Sequence, residues 1–158
     1  MNEVHYSSKS RDWETPESIF KPLQEEFNIV LDVCATDQNK KCDAYLDRKL
    51  NGLTSEWLIV GETGKPSKGA CWMNPPYGRE VGAWVRKAHA ESLKGITTVA
   101  LLPARTDTKW FHEYIYGKTE IRFFKGRIRF VNAKASAPFP SMIVIFKPQK
   151  KKLFRWRK

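Results

Sequence analysis

Acidic side chains are in short supply in this sequence: 17 Asp and Glu stand against 28 Lys and Arg, a net charge of +11. Such an excess points to a polyanionic partner, most simply nucleic acid, and says nothing of the fold. Cysteine is scarce too, with three residues, Cys34, Cys42 and Cys71, and no C-x-x-C pair among them. That excludes a disulfide framework and gives a zinc site little to build on. Buried free thiols in a reducing compartment are the expectation, and no metal site is expected. The histidines, His5, His89 and His112, show no pairing that suggests catalysis. No apolar run approaches the roughly 20 residues of a membrane-spanning helix. The opening "MNEVHYSSKSRDWETP" lacks the apolar core of a signal peptide, so a cytoplasmic location is expected. "GETGKPSKG" (61–69) reads as a flexible loop and does not match the phosphate-binding pattern G-x-x-x-x-G-K-[ST]. Internal repeats are absent.

What is present suits one folded domain. The chain has 158 residues, 41% of them hydrophobic and 13% aromatic. Residues 1–146 read as a single domain with an irregular arm at 1–12, and residues 147–158 as a basic tail. The tail, "KPQKKKLFRWRK", carries seven Lys and Arg and no acid, leaving +4 for the rest. Its interleaved Leu153, Phe154 and Trp156 suit a segment that grips phosphates and stacks on bases. A helix is expected from Thr15 as N-cap, with Pro16 at its first position and Ile19, Phe20, Leu23 and Phe27 at helical spacing. "IVLDVCA" (29–35) reads as a short buried strand, and "CDAYLDRKL" suggests a short helix. "ACWM" forms a strand that the two prolines behind it must end. Val81, Trp84, Val85, Ala88 and Ser92 share a helix face, stopped by Gly95. "TTVALLP" (97–103) is apolar enough for a strand buried on both faces. Asp107 caps a third helix through Trp110, Phe111, Tyr114 and Ile115, ended by Gly117. "EIRFF", "RIRFV" and "SMIVIF" read as three late strands, with a hairpin or bend at Lys125-Gly126. Apolar strands alternating with helices imply an α/β fold with a largely parallel sheet and late antiparallel additions.

The segment "CWMNPPYGRE" (71–80) places Asn74, Pro75, Pro76 and Tyr77 at a strand end, where open α/β sheets bind ligands. Those residues suit one chemical problem, methylation of an exocyclic amine on an aromatic base. The lone pair of such a nitrogen is delocalised into the ring. Two acceptors aimed at its N–H bonds favour a tetrahedral nitrogen and localise the lone pair. Asn74 can supply a side-chain oxygen, and Pro75 a backbone C=O whose direction the fixed φ presets. Both acceptors gain as positive charge develops on nitrogen, so they favour the transition state over the ground state. Tyr77 can stack on the base. The plainer role of Asn-Pro-Pro is a strand terminator.

These residues carry a resemblance. "NPPY" is the hallmark of amino-methyltransferases that use S-adenosylmethionine, and the chain resembles the phage-type, Dam-like DNA N6-adenine methyltransferases. The blocks "YSSKSRDWETPESIF", "LDVCA", "NGLTSEW", "CWMNPPYG", "VALLPARTDTKWFHEYI", "IRFFKGRIRF" and "APFPSMIVIF" follow in order over roughly residues 6–146. The resemblance implies a Rossmann-like class I methyltransferase fold and transfer of a methyl group to adenine N6 in duplex DNA, the base being extruded into the NPPY pocket. It also implies a cofactor set of Trp13, Thr15, Pro16, Asp32, Cys34, Ala35 and Asn51. Thr15 would lie near the methionine carboxylate, Asp32 would face the methionine amine and Asn51 the adenine ring. Asp47 is the candidate acid for the ribose. Val33, Cys34 and Ala35 stand where many methyltransferases have glycines. Arg105, Lys125, Arg127 and Arg129 are the expected nucleic-acid contacts, and no protein partner is called for. Protein glutamine-N5 methylation and RNA adenine methylation pose the same lone-pair problem. A non-catalytic DNA-binding domain on the same fold is the remaining alternative.

Overall fold

The computed structural model describes residues 13–57, 69–131 and 133–149. The expected arm at 1–12, most of the "GETGKPSKG" loop and most of the basic tail lie outside the described residues. Among those described, helices α1 (Glu17–Phe27), α2 (Val81–Leu93) and α3 (Lys109–Tyr114) flank strands β1 (Ile29–Asp32), β2 (Ala44–Tyr45), β3 (Ala70–Met73), β4 (Thr97–Pro103), β5 (Glu120–Phe123) and β6 (Ser141–Phe146). The sheet order is β2-β1-β3-β4-β6-β5. Pairs β1–β2, β1–β3 and β3–β4 are parallel, while β6 runs antiparallel to both β4 and β5. This is the expected α/β architecture of class I methyltransferases, mostly parallel with the antiparallel strand added last.

The central strands are apolar because both faces are covered. Cys71, Met73, Ala100 and Leu102 join Trp84, Val85, Ala88, Phe111 and Ile115 from α2, α3 and the turn after it. The alternate residues Ala70, Trp72, Val99 and Leu101 join Phe20 and Leu23 of α1 on the opposite face, with Ile128 and Phe130. The strand directions have a further consequence. The C-terminal ends of β1, β3, β4 and β5 meet the N-terminal end of β6 along one edge. The segments 33–43, 74–80, 104–108 and 124–140 therefore all emerge there, at the edge where open α/β sheets form their binding crevice.

Four local expectations are corrected. Helix α1 starts at Glu17 with Pro16, φ −62° and ψ 143°, as its N-cap. The Thr15 side chain is buried and engaged elsewhere, so it does not cap. "CDAYLDRKL" holds the two-residue strand β2 and a turn, not a helix. Helix α3 is capped from Thr108, whose backbone is extended, and Asp107 is exposed before it. "RIRFV" is not a strand and forms no hairpin with β5, which pairs with β6 instead. Its alternation has another cause: Ile128 and Phe130 face the core, while Arg127 and Arg129 face solvent.

Candidate active site

Asn74 stands immediately beyond β3, where Pro75 and Pro76 end the ladder. Its amide nitrogen donates to the C=O of Trp13 and, at 3.1 Å, to the hydroxyl oxygen of Thr15. Its Oδ1 is buried and has no partner among the described residues. A buried amide oxygen without a donor is costly, and such groups in native structures call for a functional explanation. Pro75 is buried and Pro76 half-buried beside it. Tyr77 is half-buried, and its hydroxyl donates to the C=O of Leu101 in β4 at 3.2 Å. Burial pushes that phenol well above its usual range, so the ring stays neutral. Its edges meet Phe139 and Phe130 at centroid distances of 5.3 and 6.2 Å, and Trp13 packs on the same two rings at 5.5 and 5.1 Å.

Asp32 closes β1 with 3% exposure. Its Oδ1 accepts from the Cys34 N–H at 3.3 Å and its Oδ2 from the Lys41 N–H at 3.1 Å. Burial raises its pKa from 3.8 to about 6, against the pull of those two N–H donors and the Lys41 charge. Burial and the neighbouring Asp32 raise the Cys34 thiol as well, which leaves it an inert apolar lining. Asp32, Cys34, Asn74, Pro76, Trp13 and Thr15 share one small cavity, with Glu14 and Lys41 on its wall. The Lys41 ammonium reaches Glu17 at 2.8 Å and Glu14 at 3.4 Å, tying the 36–43 loop to the segment before α1.

A larger cleft of about 440 Å³ adjoins it and shares Cys34, Asn39 and Pro76. Ala35, Asp47, Asn51, Gly52 and Trp84 are among its walls. Asp47 is fixed by the N–H groups of Lys49 and Leu50, at 2.8 and 2.9 Å, both on Oδ1. Asn51 sits in the left-handed region at φ 45° and accepts from the Leu53 N–H at 3.2 Å, so its oxygen already serves its own turn. Together the two cavities form a crevice whose lining runs from Trp13 to Trp84, with Asn74 in its smaller part. Glu14, Asp32, Asp47 and Glu80 line it together with Lys41 and Arg48, and no cluster able to hold a metal occurs among the described residues.

The family description "DNA N-6-adenine-methyltransferase (Dam)" matches residues 4–155. The chain belongs to this family. It is 32% identical over 145 residues to the DNA N-6-adenine-methyltransferase of Haemophilus phage HP1, covering 87% of this chain and 79% of that protein. It is 31% identical over 110 residues to the enzyme of the same name from Escherichia phage T1, covering 69% of this chain and 42% of that one. The reaction class is therefore adenine-specific DNA methylation.

Within this Dam-family frame, the NPPY residues Asn74, Pro75, Pro76 and Tyr77 gather with Trp13, Thr15, Asp32 and Cys34. Pro16 is half-buried at the start of α1. Ala35 and Asn51 line the larger cleft. Arg105, Lys125, Arg127 and Arg129 are not in the crevice. All four are exposed on segments of the same sheet edge, with the Arg129 guanidinium donating to the Ala133 C=O at 3.4 Å. Sequence reasoning passes over Gly52 and Lys41. A Cβ on Gly52 would lie 2.1 Å from the Val33 C=O and 2.9 Å from the Trp84 ring. The close approach that β1 lacks the glycines to make is thus made from the opposite wall. The signal is the "NG" of "NGL". Lys41 carries no local signal, because its partners lie 24 and 27 residues away.

Proposed function

We propose that this chain transfers the methyl group of S-adenosylmethionine to N6 of an adenine extruded from duplex DNA, with Asn74 Oδ1 and the Pro75 C=O as the two acceptors of the amine. The observation that carries this is the Asn74 amide: both contacts to its nitrogen come from the protein, while its buried oxygen has none. That oxygen suits an incoming N–H donor, and an exocyclic amine supplies one. The Pro75 acceptor is inferred from the order Asn-Pro and the fixed φ of proline. The Tyr77 hydroxyl is already bound inside the fold, so the ring is what the residue has to offer a base.

The crevice suits the methyl donor. Its larger part has the size of small-molecule sites, and its acids complement a ligand that carries an amine and a sulfonium. When bound, S-adenosylmethionine supplies an electrophilic methyl group. Asp32 would hold the amine, and Asp47 would accept from the ribose hydroxyls with the oxygen its turn leaves over. Ala35, Asn51 and Gly52 would flank the nucleoside. The protein's work on the reacting nitrogen is electrostatic: its acceptors strengthen as the amine becomes cationic, and the product then loses its proton readily without a dedicated base. Arg105, Lys125, Arg127 and Arg129 would meet phosphates around the extruded base.

Replacing Asn74 with Ala tests the reading. Turnover on duplex DNA should fall by about a hundredfold or more, as for other lost transition-state acceptors, while cofactor affinity measured without DNA stays close to wild type. Turnover near wild type would sink the acceptor role. Labelled methyl offered in parallel to duplex DNA, RNA and a glutamine-bearing protein should appear in the DNA alone.

A further inference from the structure

A side-chain amide has two nearly isosteric orientations, one presenting oxygen and the other NH2. Only the first can accept from an adenine amine. The second would set donor against donor. The surroundings of Asn74 decide between them. The Trp13 C=O can only accept, so a flipped amide would face it oxygen to oxygen. The Thr15 hydroxyl, in a residue 1% exposed, can accept or donate, so the Trp13 C=O sets the orientation and the hydroxyl, 3.1 Å from the same amide nitrogen, holds it there. With the amide nitrogen held by these two acceptors, Oδ1 is the group left over.

We propose that Thr15 is a positioning residue for methyl transfer: its hydroxyl oxygen, with the Trp13 C=O, locks the Asn74 amide so that Oδ1 is presented to the reacting amine. The proposal rests on Asn74 being an acceptor in the reaction. It gives Thr15 a role distinct from contact with the methionine carboxylate. The lock has a firm base, since the segment that carries it is held on several sides. The Val131 N–H donates to the Glu14 C=O at 3.0 Å, Trp13 packs on Phe130 and Phe139, and Pro16 restricts the next turn of chain. Asn74 is thereby oriented by residues some 60 positions earlier, at the entry to α1.

The test combines Thr15→Val, Thr15→Ala, Thr15→Ser, Asn74→Ala and the double variant Thr15→Val/Asn74→Ala. Single-turnover transfer of labelled methyl to duplex DNA reads the chemical step, and calorimetry without DNA reads cofactor affinity. Losing one neutral hydrogen bond that orients the acceptor should slow transfer about tenfold in Thr15→Val and Thr15→Ala. Cofactor affinity should hold in both, and Thr15→Ser should restore the rate. In the Asn74→Ala background, Thr15→Val should cost nothing further, because the group it orients is gone. Weaker cofactor binding with an unchanged chemical step would assign Thr15 to the cofactor instead. An equal slowing in the Asn74→Ala background would also overturn the proposal. Asn74→Ala turning over like wild type would remove the acceptor reading, and the lock with it, before any Thr15 variant is weighed.

Discussion

A carboxyl group 3% exposed on the wall of the crevice would couple the binding of a cationic ligand there to pH. Asp32 has its pKa raised from 3.8 to about 6, chiefly by burial. The sign follows from which form burial disfavours. The folded state disfavours the ionised acid, so ionised Asp32 subtracts from stability above about pH 6, and the penalty fades as pH falls toward the unfolded value. Ligand affinity runs the other way. An amine bound at Asp32 needs the carboxylate, so below about pH 6 a proton must leave first. The dissociation constant for S-adenosylmethionine should be flat near pH 7–8 and rise by up to about tenfold per pH unit below pH 6. Calorimetry across that range on wild type and Asp32→Asn checks it. The variant should bind weakly, without the acid limb. Matching slopes in the two proteins would place the titrating group elsewhere. The thiols nearby do not compete, since burial raises Cys42 and Cys71 to about 12 and Cys34 also upward.

At the scale of elements, the crevice depends on how closely the turn around Gly52 meets the end of β1. A Cβ there would lie 2.1 Å from a backbone oxygen, which cannot step aside as a side chain can. The same turn is pinned from behind, where the Trp57 indole donates to the Gly52 C=O at 2.7 Å. Gly52→Ala should therefore cost about 1–3 kcal/mol. It should also weaken cofactor binding, because the cleft wall moves with the turn. Thermal melting and calorimetry read the two effects. Gly78, where an added Cβ meets nothing within 4 Å, serves as the control and should change neither. An unchanged Gly52→Ala would mean that the turn is free to back away. The elements legible in the sequence are those whose pattern has a single cause. Strands 70–73, 97–103 and 141–146 are continuous apolar runs because helices and loops cover both sheet faces. Residues 127–131 alternate like a strand, yet the alternation comes from Ile128 and Phe130 packing into the core on the α1 side while Arg127 and Arg129 face solvent. Ala137 N–H binds the Ile128 C=O, and Val131 N–H binds Glu14. Strand β2 is two residues long, too short to show a period. Asn74 is legible because its own chemistry marks it, and Asp32 because it stands in the "LDVCA" block that carries the resemblance. The Thr15 contact and the Lys41 bridge are not, because each depends on where distant segments meet.

Over the whole molecule, charge is arranged around the crevice edge. Arg105, Lys125, Arg127 and Arg129 are exposed on segments that emerge there, while the crevice is lined by four acids, Glu14, Asp32, Asp47 and Glu80, and two bases, Lys41 and Arg48. On the proposed reading, the four exposed bases at the rim would meet DNA phosphates and the acids within would meet the cationic groups of the cofactor. Residues 147–158 hold seven of the basic side chains, and Lys147, which lies among the described residues, meets Glu120 at 2.6 Å, within an ion network that joins Arg122 to Glu26. A cut meant to test the tail should spare it. Ending the chain after Gln149 removes six Lys and Arg together with Leu153, Phe154 and Trp156. If those charges neutralise phosphates, DNA affinity should fall on every sequence alike, since phosphate contacts position without specifying. The slope of log affinity against log salt should become shallower by up to about 5, given nearly one counterion released per phosphate neutralised. Cofactor affinity and the melting temperature should hold. Titrations of wild type and truncated protein on two unrelated duplexes, each at several salt concentrations, read the slope directly. An unchanged slope would show that the tail does not touch phosphates. A truncated protein that melts early and loses cofactor and DNA affinity in step would show that the three apolar side chains cover the domain, with their charged neighbours along for solubility.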